Sequence, residues 1–227
     1  GLWYGNPLGG GELDGAAYQR KTENISIVSS NKRSCELHIA RIKLAEKLQK
    51  EGLAKAFGTF NSSKTIKISE SLEKFRYSVV IENMITPYFF TEKITNCFAA
   101  MTVPIYLGAT KIHEFFNVDG IIQICLQDVD NIEKIIAQCG AYDYEQRLPA
   151  IKDNYEKALR FKNINNYLYE SFFLTIISYF ENFILEEFSY IDDAGNFIEN
   201  ANSECTEESI YGCGCFCFKK TNGDNLS

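Results

Sequence analysis

The chain has 227 residues, 45% hydrophobic and 23% charged, and 23 Lys and Arg against 30 Asp and Glu leave a formal net charge of −7. This balance fits a globular fold with one sizeable core and excludes a wholly disordered chain. There is no block of Lys and Arg to hold a nucleic acid, no secretory leader, and no uncharged run of about 18 residues to span a membrane.

Residues 1–19 contain NPLGGGELDG, are glycine-rich and aperiodic, and read as a linker or the remnant of an interdomain segment. ENISIVSS, from Glu23 to Ser30, alternates with β-branched residues and predicts a strand. In CELHIARIKLAEKLQKEG, Leu37, Ala40, Leu44 and Leu48 recur at helical spacing, and Gly52 is placed as a stop. AKAFG is a short strand-like piece, and the polar stretch after it holds a short helix at 69–74. FRYSVVIEN is the clearest strand, with Tyr77, Val79 and Ile81 alternating. A Pro-containing loop, MITPYF, leads to Thr91, a good N-cap, then a helix and the strand VPIYLG. Gly108 ends that strand and Thr110 is placed to cap the short helix in GATKIHEFFN. GIIQICL reads as a buried strand, and Asp128 or Asp130 could cap NIEKIIAQC. Two long helical runs follow, YDYEQRLPAIKDNYEKALRF and NNYLYESFFLTIISYFENFILEEF. Residues 189–227 form a polar tail that contains Cys205, Cys213, Cys215 and Cys217 in a C-x-C-x-C setting unlike common zinc spacings. Cys35, Cys97, Cys125 and Cys139 lie in apolar elements, where free cysteine is a small core residue. The sequon at Asn24 sits at the edge of a strand, and a second begins at Asn61.

Strands alternate with helices from about residue 24 to 139, which predicts an α/β fold: a parallel sheet covered by helices. Ligands of such sheets collect beyond the carboxyl ends of the strands. Three junctions lie there. After the first strand, Arg41 is either a solvated helix-face arginine or a fork for phosphate. After the second, Glu82 and Asn83 end the strand, and Glu92-Lys93 occupy the first helical turn. Glutamate complements the helix dipole there and lysine does not. The pair is therefore either a solvated helix start or an anion site of the kind that holds a diphosphate, with a carboxylate for sugar hydroxyls. The third junction, at Gly108, is no Gly-rich phosphate loop, and the chain has neither GxGxxG nor GxxxxGK[ST]. The two histidines, His38 and His113, fit structural roles better than catalytic ones, although His38 shares a helix face with Arg41. No spacing suggests a tightly held metal.

Residues 75–109, FRYSVVIENMITPYFFTEKITNCFAAMTVPIYLGA, resemble the donor-site motif of the α-1,3/1,4-fucosyltransferases, glycosyltransferase family 10: an FEN-ended strand, a short loop, Y-x-TEK, a helix and VPIYxG. The segment from Ile25 to Leu48 and the helix from Tyr144 are similar to flanking parts of the family, so the likeness covers about residues 20–175. It implies the C-terminal, Rossmann-like half of a GT-B enzyme, with residues 20–188 as the GDP-fucose-binding domain. It implies inverting transfer of L-fucose from GDP-β-L-fucose to an N-acetylglucosamine or glucose unit of an oligosaccharide acceptor, in α-1,3 linkage. Arg41 and Lys93 would hold the diphosphate; Glu92 and Asn83 would contact ribose or fucose hydroxyls. Where many bacterial members have tyrosine two residues before Thr-Glu-Lys, this chain has Phe89, and Tyr88 beside it is the candidate to supply the hydroxyl. The donor is the only small molecule implied: no tightly bound cofactor is expected, and a divalent metal would at most stimulate. The family's catalytic base is a carboxylate of an N-terminal domain, and nothing here is assigned to it. The alternatives are a donor-binding fragment without catalysis and a relative that uses another nucleotide-sugar. The resemblance also sets an expectation of a cytoplasmic location with peripheral contact to the inner membrane, or the Golgi lumen for a eukaryotic source.

Overall fold

The computed structural model describes residues 14–61, 65–162, 169–173 and 176–179. The chain divides into two compact units, residues 1–171 and 172–227. Of the second, the six described residues, 172–173 and 176–179, are helical and exposed. The tail cysteines lie outside the described residues. No described helix is long and apolar enough to cross a membrane.

The first unit is a five-stranded, wholly parallel sheet in the order β2-β1-β3-β4-β5, flanked by helices. Its strands are β1 (Glu23–Val28), β2 (Lys55–Phe57), β3 (Phe75–Ile81), β4 (Val103–Leu107) and β5 (Ile122–Gln123). The helices are α1 (Glu36–Lys50), α2 (Glu92–Ala99), α3 (Leu126–Val129), α4 (Ile132–Ile136) and α5 (Ala141–Leu159). This is a Rossmann-like, doubly wound arrangement: the chain leaves β1 toward β2, then returns to build β3 on the other side. The carboxyl ends of β1 and β3 therefore flank the point where the winding reverses, and a crevice opens there.

Residue choice explains the layers. β3 and β4 sit inside the sheet with helices on both faces, so their residues are buried almost without exception, not on one face in two. The alternation Tyr77-Val79-Ile81 marks one buried face; Ser78 and Val80 are buried on the other. α1 buries His38, Arg41, Ile42, Leu44, Ala45 and Leu48, while Leu37 and Ala40 stand at its flank. The buried stripe is thus rotated from the purely apolar one, because it includes two polar residues.

Several local expectations are corrected. GIIQICL supplies only a two-residue strand, Ile122–Gln123, at the edge of the sheet, where a long ladder has one partner at most. Thr110 caps nothing; its N–H donates to the Thr86 carbonyl, and the 3-10 turn Ile112–Glu114 starts at Lys111 without a side-chain cap. Asp128 does cap, but it caps α3, by accepting from the Cys125 N–H at 2.7 Å; α4 starts at Asn131 with no side-chain cap. Residues 69–74 form a 3-10 turn, Ile68–Ser71, and no α-helix. The long run from Tyr167 lies largely outside the described residues. Cys97 and Cys139 are buried as expected, whereas Cys125 is exposed.

One buried cation has no carboxylate in contact. Lys21 is 7% exposed, and its Nζ donates to the carbonyls of Leu72 (3.0 Å) and Ala100 (2.5 Å) and to Thr102 Oγ1 (2.9 Å). It ties the start of β1 to the turn before β3 and the end of α2. Burial pushes its pKa down to about 7. Between that value and the ordinary lysine range the unfolded chain carries a proton that the folded chain lacks, so stability climbs as pH rises through the window. Three acceptors match the three donors of an ammonium and limit the climb. The buried thiols of Cys97 and Cys139, pushed up to about 12 by burial, act oppositely above pH ~9, where unfolded thiols ionise first. The urea midpoint is expected to rise between about pH 6.5 and 8.5 and to fall beyond. Lys21→Met should remove the rise and leave the fall.

Candidate functional site

The site is built where β1 and β3 end. Strand periodicity carries the Ser78-Val80 face one step further, to Glu82, whose N–H still pairs with the Leu107 carbonyl at 2.8 Å. The Glu82 carboxyl group is fully buried. The loop 83–90 then crosses over and Thr91 starts α2 in an extended conformation, its hydroxyl accepting from the Lys93 N–H at 3.4 Å. Glu82 is the partner that fixes this start. Its Oε1 accepts from the Thr91 N–H at 2.9 Å and its Oε2 accepts from Lys93 Nζ at 3.0 Å. Lys93 Nζ also donates to Thr91 Oγ1 at 2.8 Å, and Glu92 Oε1 lies 3.9 Å away. The first turn of α2 thus presents a lysine at the positive end of the helix, a setting suited to an anion.

Across the crevice stands α1. Arg41 is only 7% exposed, and its Nη1 donates to the Ile81 carbonyl at 2.9 Å. Burial pulls its pKa down, and the neighbouring Glu82 opposes that shift. One turn before it, His38 is equally buried, and its Nε2 lies 2.9 Å from Asn83 Oδ1. A cavity of about 220 Å³ opens between these elements, lined by Ser30, Arg41, Ile81, Glu92, Lys93 and Asn96 among others. Among the described residues, three buried side-chain atoms have no hydrogen-bond partner: His38 Nδ1, Arg41 Nε and Glu92 Oε2. Two belong to cavity-lining residues, and the third lies one helical turn from Arg41. Buried polar groups are nearly always satisfied, so these three atoms are free to bond ordered water or a ligand.

A larger hollow of about 380 Å³ lies between α1 and the end of α3. Its rim charges are partly paired, Lys47 with Glu133, and none of its lining residues leaves a buried polar atom unpartnered. Among the described residues no three His, Cys, Asp or Glu cluster to hold a metal.

The structure brings Arg41, Glu92 and Lys93 around one cavity. Asn83 is exposed and is not among the lining residues; it is held by His38 and by Cys35 Sγ, which lies 3.5 Å from its carbonyl. Tyr88 does not line the cavity. It is 47% exposed, its hydroxyl accepts from Lys111 Nζ at 2.9 Å, and its ring stands edge-on to Phe115. Phe89 is held through its N–H, which donates to Thr86 Oγ1 at 3.1 Å. Sequence reasoning left Glu82 as a mere strand end and His38 as structural. The first was findable: two residues beyond a central strand's last inward residue is a buried position, and a carboxylate there needs a cation.

The profile described as glycosyltransferase family 10 (fucosyltransferase), C-terminal part, matches residues 18–149, more than half of the chain. Solved structures of an α1,3-fucosyltransferase, alone, with GDP and with GDP-fucose, are similar at 18% identity and a TM-score of 0.45. The similarity covers 62% of this chain and 46% of those, so the chain spans less than half the length of the proteins it resembles. No curated protein matches the chain.

Proposed function

This chain belongs to glycosyltransferase family 10, and from that membership we propose that its cavity binds GDP-β-L-fucose and serves fucosyl transfer to an oligosaccharide hydroxyl. The observation that carries the assignment of the site is the cluster of unpartnered buried atoms at Arg41 Nε, Glu92 Oε2 and His38 Nδ1 around the switch-point crevice. A guanidinium and an ammonium suit the two phosphates of a nucleoside diphosphate, and a carboxylate beside them suits a sugar or ribose hydroxyl.

The chemistry assigns each group a task. The bond between fucose C1 and the β-phosphate oxygen breaks, and its electron pair leaves with GDP. The negative charge that grows on that oxygen lies against Arg41 and Lys93, which are fixed before the reaction and lower the barrier by stabilising it. The acceptor oxygen forms the new bond to C1 from the opposite face, which inverts the anomeric centre and gives an α-linked fucose. Its proton goes to a general base. We assign that base to a carboxylate outside this chain, so the chain by itself holds the donor. Asn83, exposed two residues beyond the cavity-lining Ile81, is assigned the remaining hydroxyl contact. Tyr88 reaches the donor only after leaving Lys111.

The test is thermal. Ligand in ~100-fold excess over Kd stabilises a folded protein by about 2.7 kcal/mol. For a chain of this size that is a Tm rise of roughly 5–10 °C. GDP and GDP-fucose should give it, and UDP-sugars should not. An unchanged Tm at millimolar GDP would remove the proposal; a response to UDP-sugars alone would redirect it to another donor.

A further inference from the structure

We infer that Glu82 is a positioning residue for Lys93, holding its ammonium so that one of three N–H donors stays turned to the cavity for an anionic ligand. The inference rests on the donor-site reading above and names how that site is set. Glu82 is fully buried, and no face of its carboxyl group reaches solvent. It touches no outside ligand, yet it is bound from three directions: the Thr91 N–H, the Thr91 hydroxyl (3.0 and 2.9 Å to its two oxygens) and Lys93 Nζ. A buried carboxylate without a cation is strongly disfavoured. Lys93 is the cation in contact, and Arg41 is the next, anchored on the residue just before Glu82.

Donor counting gives the rest. An ammonium has three N–H groups and no acceptor. One goes to Glu82 Oε2 and one to Thr91 Oγ1, at 3.0 and 2.8 Å. Glu92 Oε1, at 3.9 Å, is too far to take the third. Two fixed bonds on a tetrahedral nitrogen determine the direction of the third, so a flexible four-carbon stem becomes a rigid donor before any ligand arrives. Lys93 is also a lining residue of the cavity, whereas Glu82 is not, so Glu82 acts through Lys93.

A double-mutant cycle read by calorimetric titration of the full chain with GDP tests this. Glu82→Gln and Lys93→Met should each weaken GDP binding about 10-fold or more. The double variant should bind no more weakly than Lys93→Met alone, because Glu82 has nothing left to position. A purely structural role would make the two losses multiply, and that result overturns the inference. Glu82→Gln binding GDP as the unaltered protein does would overturn it too, while leaving the donor site standing. No binding by the unaltered protein would remove both. Should Glu82→Gln fail to fold, Glu82→Asp takes its place, keeping the charge and withdrawing the carboxylate by one methylene; should Lys93→Met fail, Lys93→Gln takes its place and likewise leaves no ammonium to position.

Discussion

Arg41→Met is expected to abolish the GDP-induced rise in Tm while leaving the Tm of the unliganded protein unchanged or slightly higher. The two halves of that expectation have different causes. Without ligand, the Arg41 guanidinium is buried, its Nε has no partner, and its one hydrogen bond among the described residues is to the Ile81 carbonyl. Desolvating such a charge costs folding energy that a single backbone acceptor does not fully return, and a methionine of similar length fills the space without that cost. With ligand, the same group meets a diphosphate in a setting of low polarity. Truncating one side of a buried, hydrogen-bonded charge pair costs about 2–5 kcal/mol, on the order of 100-fold or more in Kd. Thermal melts with and without GDP, together with a calorimetric Kd, measure both halves. A marked fall in the unliganded Tm with GDP binding retained would mean that Arg41 is there for the fold.

Gly108→Ala is expected to destabilise the fold strongly and to disturb the crevice as well. A Cβ built at Gly108 would meet the Tyr106 hydroxyl at 2.3 Å, its ring carbon Cζ at 2.5 Å and Glu82 Cγ at 2.7 Å. None of these can step aside cheaply. Tyr106 is fully buried with its hydroxyl accepting from the Ala109 N–H at 3.0 Å, and Glu82 is held by Thr91 and Lys93. Overpacking of this kind costs about 3 kcal/mol, or a Tm loss of roughly 6–12 °C. Because the methyl presses on Glu82, GDP affinity should fall as well. A circular-dichroism melt and a GDP titration check the pair of effects; an unaltered Tm would contradict the close approach.

What could be read from residues alone follows from how local each signal is. β1, β3 and β4 announce themselves by β-branched composition, and α1 and α2 by spacing and by Thr91, so their order and the crevice at their ends were legible. Edge features were not. The length of β5 depends on how far β4 accompanies it, which no pattern within GIIQICL encodes. The face of α1 was misjudged by about one residue because hydrophobicity alone chose Leu37 and Ala40. His38 and Arg41 are buried against the end of β3, where His38 Nε2 lies by Asn83 Oδ1 and Arg41 donates to the Ile81 carbonyl, partners that composition does not reveal. The solvated and ligand-facing readings of Arg41 look identical in sequence; the fold shows that the side chain is buried and not solvated. Glu92-Lys93 was correctly singled out as a junction, but the sequence pairs Lys93 with its neighbour, whereas the fold pairs it with Glu82, eleven residues earlier in the chain and at contact distance only because β3 and α2 share a crossover.

At the crevice, Arg41 and Lys93 stand against Glu82 and Glu92, two charges of each sign. Beyond a Debye length of ~8 Å such a balanced group exerts almost no pull. These four side chains therefore do little to draw a nucleoside diphosphate in from a distance. Whatever tightness the complex has must reside in slow departure, in bonds that form only after contact.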